Sequence, residues 1–334
     1  MQKLCRVSAG LFVVGIALIL AFCCGLAPAS TAPESLLDIP TPFARVYLPV
    51  VFKGYSPPPP TATPTPTATP QPSPTPTPCI QYVSGIISSN TTWQSGCTYI
   101  VTGNLGVEEH VTLTIEPGVV VKFDKDCRLQ VIGNLIAQGT PEDMIVFTSN
   151  LPDPSPGAWL GIEFPRAVEP AKEKSNISYC KIEYAGTGLY YCGRLFDLSH
   201  NIFANNYDGV HMFVGGHDEL GPVRLEYNLF TENRYSVYIF GHRSVHMSYN
   251  TIANNGAGIR DSHENLIVHY NNIHSNSQYD FRHGRSTDID ATHNWWGTTD
   301  SSLIDQHIYD YYDDLTLGKV IYEPFATGPI PGAP

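Results

Sequence analysis

A unit of 21 to 27 residues recurs through the second half of the chain, and this repeat constrains the fold more than any other feature of the sequence. In each unit an asparagine stands two residues before a large apolar anchor. The units are Asn201-Ile202-Phe203, Asn228-Leu229-Phe230, Asn250-Thr251-Ile252, Asn271-Asn272-Ile273 and Asn294-Trp295-Trp296. A second asparagine follows three residues after the anchor in four units, as Asn206, Asn233, Asn255 and Asn276. The fixed spacing indicates a repeat architecture.

The unit matches one coil of a parallel β-helix better than other repeat types. It is too short for a propeller blade, shows no helical period of 3.6, and lacks the leucine spacing of leucine-rich repeats. Short segments with alternating apolar residues instead predict strands that stack on the coil below, with their apolar side chains inside. Asparagines at the bends are then expected to hydrogen-bond to their equivalents in neighbouring coils. We therefore predict an all-β, single-stranded solenoid with room for about nine coils in residues 98–300.

The repeat blurs upstream, but the strand pattern continues in Val111-Thr-Leu-Thr-Ile-Glu-Pro-Gly-Val-Val-Val-Lys-Phe123. Downstream, residues 301–325 are expected to close the end of the solenoid. The spacing of Leu303, Ile304, Ile308, Tyr311 and Leu315 predicts an amphipathic helix there, followed by a strand over residues 319–322.

Three strings carry a resemblance to a known group of proteins. They are Leu113-Thr-Ile-Glu-Pro-Gly-Val-Val-Val-Lys-Phe123, then Ile145-Val-Phe-Thr-Ser149 after Gly139-Thr-Pro141, and Asn294-Trp-Trp-Gly-Thr298. Over residues 98–325 the chain resembles the secreted right-handed parallel β-helix proteins with a pectin-lyase-like fold. The resemblance implies a right-handed solenoid. It does not choose an activity, because the group contains lyases, hydrolases, epimerases and proteins without known catalysis.

The start of the chain reads as an export signal. Lys3 and Arg6 precede an apolar run over residues 11–24, and Ala27-Pro28-Ala29 offers a cleavage site, so residues 1–29 are predicted to be a signal peptide. An uncleaved membrane anchor remains the alternative. The sequence holds no second apolar run of spanning length, so the mature chain is expected to have no membrane span.

Residues 30–56 are predicted to be a short exported leader, in which residues 45–52 are either a docking segment for an envelope partner or an unremarkable leader. Residues 57–78 contain 11 prolines and are predicted to be an extended spacer. The β-helix domain with its cap is assigned to residues 79–325, and residues 326–334 to a disordered tail.

Five of the eight cysteines lie outside the predicted signal peptide. Export favours disulfides, and we expect Cys79 to pair with Cys97, with Cys180 to Cys192 as a weaker second pairing and Cys127 left over. No Cys-x-x-Cys occurs, so no metal site is predicted. The net charge of -12 argues against nucleic acid as a partner, and a monomer without cofactors is expected. Calcium remains open, although no clear acidic cluster supports it.

Equal offsets from the anchor should stack on successive coils, which defines candidate columns of side chains. Cys180-Lys181-Ile182 extends the series of units backwards by 21 residues, with Ile182 as its anchor. Eight residues after the anchor come Tyr190, His211, Tyr238, Arg260 and Phe281. The residue before each is apolar and inward, so this column should face outward as a strip of rings and cations suited to an extended glycan. A plain solvated surface is the alternative.

Three residues before the anchor comes a second ring column, which strict alternation favours as a buried aromatic ladder. If the bend turns these side chains outward, the rings would instead lie at sugar-stacking distance. The column consists of Tyr179, His200, Tyr227, Tyr249, Tyr270 and His293.

An enzymatic site is less clearly indicated by the sequence. A hydrolase needs two carboxylates across one bond, but the acids are scattered over different offsets, as in Asp197, Asp208, Glu226, Asp261, Asp280 and Asp290. Arg260, Asp261 and His263 are the nearest constellation for a lyase, with a polar turn as the alternative. We therefore expect an extracellular or surface-displayed protein that binds polysaccharide without catalysis. The alternatives are a lyase or hydrolase acting on glycans, including uronate-containing ones, and a structural surface rod.

Overall fold

The computed structural model describes residues 79–165, 175–192, 196–215 and 221–334. The predictions for the signal peptide, the leader and the proline-rich spacer lie outside the described residues. Within the described residues, no helix is long and apolar enough to cross a membrane.

The described residues form 27 strands and one short helix. The first strands are β1 (Cys79–Ile87), β2 (Thr91–Trp93), β3 (Cys97–Val107), β4 (Thr112–Ile115), β5 (Val120–Phe123), β6 (Arg128–Val131), β7 (Asn134–Gln138), β8 (Ile145–Ser149), β9 (Trp159–Phe164), β10 (Ser175–Ser178), β11 (Cys180–Glu183), β12 (Ala185–Cys192), β13 (Phe196–Ser199) and β14 (Ile202–Ala204). They are followed by β15 (Asp208–Val214), β16 (Val223–Glu226), β17 (Leu229–Thr231), β18 (Tyr235–Gly241), β19 (Val245–Ser248), β20 (Thr251–Ala253), β21 (Ala257–His263), β22 (Leu266–His269), β23 (Asn272–His274), β24 (Phe281–Arg282), β25 (Ile289–Asp290), α1 (Ser301–Asp305), β26 (Ile308–Tyr309) and β27 (Val320–Ile321).

Successive coils stack so that their strands form three parallel ladders. Ladder 1 runs through β5, β8, β11, β14, β17, β20 and β23. Ladder 2 runs through β6, β9, β12, β15, β18, β21, β24 and β26. The long strands β1 and β3 join ladders 1 and 2 into a 17-stranded sheet. Ladder 3 is a 10-stranded sheet, from β2 to β27, with one strand per coil.

The described residues therefore form a right-handed parallel β-helix of ten coils, which confirms the predicted fold class. Inward side chains from the three ladders fill one continuous core. The anchor residues of the repeat lie at its centre, where Phe203 and Phe230 stack with ring centroids 5.0 Å apart. Because side chains alternate along each strand, the residues beside these anchors face outward.

The asparagines of the repeat line two bends of the coil from the inside. Asn201, Asn228, Asn250 and Asn271 are at most 1% exposed, and the Nδ2 of each donates to the Oδ1 of its equivalent one coil on, at 2.9–3.1 Å. A residue in the left-handed conformation precedes each bend asparagine, as His200 does with a φ of 58°. The predicted hydrogen bonds between stacked asparagines are thus confirmed, and the asparagines have a structural role.

The C-terminal end is closed, but by different elements from those predicted. The helix α1 ends at Asp305 instead of continuing to Leu315, and Ile308 belongs to a strand that pairs with β24. Leu315 is 77% exposed. The prediction of a long amphipathic helix was wrong because Ile308 lies in a strand that pairs in parallel with the last coil, so the helix cannot continue through it.

The tail was predicted to be disordered, whereas Ile330 is buried and its backbone N–H donates to Asn272 Oδ1 at 2.8 Å. Asn272 lies in the last paired strand of ladder 1, so the tail packs on the closed end of the helix.

The disulfide between Cys79 and Cys97 is present and ties β1 to β3, as predicted. Cys180 is a buried thiol whose Sγ donates to the carbonyl oxygens of Ala137 and Ser178 at 3.4 Å, so the weaker pairing with Cys192 is not formed. Burial in the core raises the pKa of the Cys180 thiol far above its usual range.

Candidate functional site

Ladder 2 brings most of the predicted glycan-binding residues together in one outward row. Tyr190, His211, Tyr238 and Arg260 are direct neighbours on successive strands. Each is flanked along its strand by inward core residues, such as Val210 and Met212 on either side of His211. Strand alternation therefore points this column to the solvent face, as the offset from the anchor predicted.

Phe281 does not belong to the row, which corrects the sequence prediction. Its side chain is 0% exposed, and its register partner is the core residue Ile259. The neighbour of Arg260 in the row is Arg282. Phe281 comes eight residues after its anchor Ile273, whereas its register partner Ile259 comes seven residues after Ile252, so a count of eight stops one residue short of the outward position.

The row continues in both directions beyond the predicted residues. Tyr309 follows Arg282 on the last coil, and Glu163 precedes Tyr190. Glu163 is held by Arg128, with 2.8 Å between Arg128 Nη1 and Glu163 Oε2. We call this set the outward row; its members are Glu163, Tyr190, His211, Tyr238, Arg260, Arg282 and Tyr309.

The rings of the outward row are tilted against one another. The rings of Tyr190 and His211 make an interplanar angle of 59°, and those of His211 and Tyr238 one of 53°, with centroids 5.3 and 4.8 Å apart. Further along, the Arg260 guanidinium lies 4.6 Å over the Tyr238 ring, and Arg282 lies 4.6 Å over Tyr309. Tilted rings leave part of each face open to a ligand, and a stacked guanidinium directs its N–H donors along its rim.

Two flanks border the outward row. On one side Phe213 and Phe240 lie on the same face with ring centroids 5.0 Å apart, and Phe240 is 5.5 Å from the His211 ring. On the other side Asp208 and Tyr235 are neighbours in register, and Arg234 lies 5.5 Å over the Tyr235 ring. The strip is therefore apolar along one edge and charged along the other.

Asp208 is the carboxylate of this face that the sequence reasoning missed as a site residue. Burial raises its pKa to about 6, although a hydrogen bond from the Thr187 side chain and the charges of Arg234 and Arg260 favour its ionised form. A carboxyl whose pKa burial shifts toward neutrality is a candidate for a functional site. In the sequence it appeared among scattered acids, and only the stacking shows that two arginines lie close to it.

His211 carries no charge at neutral pH. Burial, followed by the positive charge of Arg260, lowers the pKa of His211 to about 4. It can therefore offer a ring face and one N–H donor to a ligand, and the cations of the row are its arginines.

The predicted catalytic constellation is not assembled by the fold. Arg260 is exposed in the outward row, whereas Asp261 is 0% and His263 2% exposed inside the helix. Successive residues of a strand point to opposite faces, so Arg260 and Asp261 cannot act on one substrate. Asp261 instead accepts a hydrogen bond from the His263 backbone N–H at 2.7 Å and pairs with His283.

The second ring column faces outward, which overturns the favoured prediction of a buried ladder. Every member has a positive φ, between 50° and 62°, and this left-handed bend turns the side chain to the surface. The rings from Tyr179 to Tyr270 stack face to face, for example with 5.0 Å and 8° between Tyr227 and Tyr249. Because each inner ring face is covered by the next ring, the column presents edges to solvent and is a poor platform for sugars.

Over the part of the chain that the structure describes, no group of three or more His, Cys, Asp or Glu side chains is arranged to hold a metal ion. The outward row itself supplies one carboxylate, Glu163, and that group is already paired with Arg128.

Comparison with known proteins gives one match. Residues 85–188 match the family described as a pectate-lyase-like β-helix domain, which agrees with the parallel β-helix of the structure. The matched segment contains Glu163 and ends just before Tyr190, so most of the outward row lies beyond it. No curated protein and no solved structure matches the chain.

Proposed function

We propose that this protein binds an extended polysaccharide along the outward row, without cleaving it. The observation that carries the proposal is the alignment of rings and arginines, one per coil, from Tyr190 to Tyr309. Parallel coils repeat every ~4.8 Å, so the row offers a regular series of contacts to a polymer that lies along it. The flat rings suit the apolar faces of sugars, and the arginines suit hydroxyl or carboxylate oxygens.

The charges of this face favour acidic glycans over neutral ones. Arg234, Arg260 and Arg282 outnumber Asp208, while Glu163 is neutralised by Arg128. The chain as a whole has a net charge of -12, so the cations of the row are a local exception. An anionic polymer would meet attraction at the row and repulsion elsewhere, which fixes where it docks.

Polysaccharide cleavage is the second candidate function, and one observation favours it. Asp208 has a pKa of about 6 and lies on the same face as Arg260, so it is suited to move a proton near neutral pH. Asp208 therefore replaces Asp261 and His263 as the candidate catalytic residue. A structural surface rod without ligand remains the third candidate.

The proposed setting is the cell exterior, with the chain secreted or attached to the cell surface. The disulfide between Cys79 and Cys97 supports an oxidising compartment. The predicted signal peptide and spacer agree with export and with display at a distance. Calcium is not needed for the proposed binding mode.

Retention on a panel of acidic and neutral polysaccharides, by affinity gel electrophoresis, tests the proposal directly. We expect retention on at least one acidic polymer, and about tenfold weaker binding for Tyr238→Ala or Arg260→Ala, equivalent to roughly 1.4 kcal/mol. Arg224→Ala is the matched control, because Arg224 is exposed on ladder 3, away from the outward row, and pairs with Glu226 at 3.5 Å. This variant should bind as the unchanged protein does.

The same incubations separate binding from cleavage. New reducing ends or unsaturated products that disappear with Asp208→Asn would replace the binding proposal by the enzymatic one. A protein retained by no polymer and producing no new ends would refute both.

A further inference from the structure

The N-terminal coil ends in a strand edge that the described residues leave uncovered. β1 pairs with β3 on one side, and β2 pairs with β4 on one side. Within residues 79–165, 175–192, 196–215 and 221–334, no strand pairs with the opposite edge of either. An unpaired edge presents a row of N–H and C=O groups that another strand can use.

The side chains of this edge are apolar and exposed. Ile80, Tyr82 and Ile86 of β1 are 51%, 71% and 74% exposed. Beside them the end of the core opens into a cavity of about 660 Å³, whose lining includes Trp93 and Tyr99. The opposite end of the helix differs, because α1, β26, β27 and the segment around Ile330 close it.

The edge also lacks the charges that normally prevent strand edges from associating. Residues 54–107 contain no Asp, Glu, Lys, Arg or His, in a chain with a net charge of -12. Edge strands in soluble proteins are commonly protected by charged side chains or by proline, and Cys79–Ile87 has neither. Two copies of this acidic chain would repel each other less across this end than across most surfaces, and the nearest acid to β1 is Glu108, whose N–H donates to Ile87 O at 3.1 Å.

We propose that this end is a self-association surface, at which β1 of one chain pairs antiparallel with β1 of a second copy. A two-fold axis normal to the sheet brings identical strands together in opposite directions and joins the two cores end to end. Ile80, Tyr82 and Ile86 are then shielded by the partner's equivalents. Because the C-terminal ends are closed, association stops at the dimer and does not continue into a fibre.

A second copy fits the edge better than the upstream part of the same chain does. The sequence of the upstream residues 45–52 is apolar, but Pro49 in their middle has no N–H, so such a strand could pair only in a register that turns this position away from β1. A charged partner would find no complementary charge at this end. A second β1 offers matching length, matching apolar side chains and no charge.

Light scattering coupled to size-exclusion chromatography of the purified chain tests the proposal. The mass should be twice that of one chain, and Ile86→Lys or Tyr82→Lys should return it to the monomer value. These side chains are exposed, so the substitutions should leave thermal unfolding of the monomer intact. Leu315→Lys is the matched control, because Leu315 is 77% exposed at the opposite end, and it should remain a dimer.

Hydrogen exchange of the β1 amides distinguishes the other occupants. A monomer with fast-exchanging β1 amides would mean that nothing covers the edge and would overturn the proposal. A monomer with protected β1 amides would mean that the chain's own upstream segment covers it, which also overturns the proposal. A dimer that persists in both lysine variants would place the interface elsewhere and refute it as well.

Discussion

Asp261 and His283 form an ion pair inside the β-helix, with 2.7 Å between Asp261 Oδ2 and His283 Nδ1 and side chains 0% and 1% exposed. The other ring nitrogen, Nε2, lies 2.7 Å from the carbonyl oxygen of Thr287, which can only accept a hydrogen bond. Nε2 therefore donates to the Thr287 carbonyl oxygen, and in the protonated ring Nδ1 donates to the Asp261 carboxylate. The pair links β21 to the turn after β24.

Removing one partner of this pair should destabilise the fold strongly. Asp261→Asn is expected to cost about 3 to 5 kcal/mol in free energy of unfolding, because a buried charge loses its partner. Denaturant titration measures it. Asp290→Asn is the control, since the Asp290 carboxylate is 55% exposed in its pair with His269 and should cost less than about 1 kcal/mol. Equal losses in the two variants would contradict a structural role for Asp261.

Two buried histidines should give the stability a pH optimum. Burial, then the charges of His242 and Arg285, lowers the pKa of His263 to about 4, and its Nδ1 accepts a hydrogen bond from the Asn265 N–H at 3.1 Å. In the unfolded chain this histidine binds a proton below about pH 6.5, whereas in the folded chain it stays neutral down to about pH 4. The free energy of unfolding therefore falls as pH drops from about 6.5 to about 4. The full loss from this group is about 3 kcal/mol.

His283 acts in the opposite direction. Burial opposes its charge, but the hydrogen bonds to Asp261 and to the Thr287 carbonyl outweigh burial and raise its pKa. Its contribution is present below about pH 6.5 and is lost as pH rises through the raised value. The free energy of unfolding measured from pH 4 to 8 should therefore decrease toward both ends of this range. His263→Gln should remove the decrease in stability at acid pH and leave the decrease at alkaline pH.

The asparagine stack should be sensitive to single truncations. Asn250 Nδ2 donates to Leu225 O at 2.7 Å and to Asn271 Oδ1 at 2.9 Å, and its Oδ1 accepts from the Asn228 backbone at 2.9 Å. Asn250→Ala leaves these buried groups unpaired, which is expected to cost about 3 kcal/mol.

Thermal or denaturant unfolding measures that cost. Asn265→Ala serves as the control, because the exposed Asn265 amide makes a surface hydrogen bond to His242 O and should cost less than about 1 kcal/mol. A small effect of Asn250→Ala would mean that water or neighbouring groups replace its bonds.

Asp208 should make glycan binding depend on pH. Since its pKa is about 6, its negative charge beside Arg234 and Arg260 disappears below that pH. An acidic polysaccharide should then bind a few-fold more tightly at pH 5 than at pH 7.5, on the order of 0.5 to 1 kcal/mol. His211, with a pKa of about 4, stays largely neutral over this range.

Affinity measurements on Asp208→Asn check the assignment. At pH 7.5 this variant should bind the acidic polysaccharide as tightly as the unchanged protein does at pH 5. Its affinity should not change between the two pH values. A step that survives the substitution would assign the titration to another group. A neutral polysaccharide should show no step in either protein.

Counting residues from the anchor of each repeat predicted part of the outward row. Tyr190, His211, Tyr238 and Arg260 lie side by side as the repeat predicted, because each comes eight residues after its anchor. Arg282 was missed because it comes nine residues after its anchor, and a shift of one residue moves a side chain to the opposite face of the strand. Asp208 was missed because no sequence offset reports which charged groups of other coils surround a carboxylate.

The ring column that begins at Tyr179 marks another limit. Alternation from the neighbouring apolar residues predicted burial, but the positive φ at each ring reverses the direction of the side chain. A left-handed residue at a bend is set by how the two flanking strands meet, which no local pattern of tyrosine and histidine specifies.

The sequence by itself determined the class of fold, the period of the coil, the asparagine bends and the Cys79 to Cys97 disulfide. The fold class, the period and the bends follow from repetition, because similar short segments that cannot bury their apolar face alone must stack on one another, whereas the disulfide follows from the predicted export. The tertiary structure decided which side chains face outward at each bend, and it buried Asp261 with His283 instead of exposing it beside Arg260. It also decided that Asp208 titrates near neutrality. Those properties depend on turn lengths, backbone conformation and the desolvation of charges by distant residues, which only the stacked coils define.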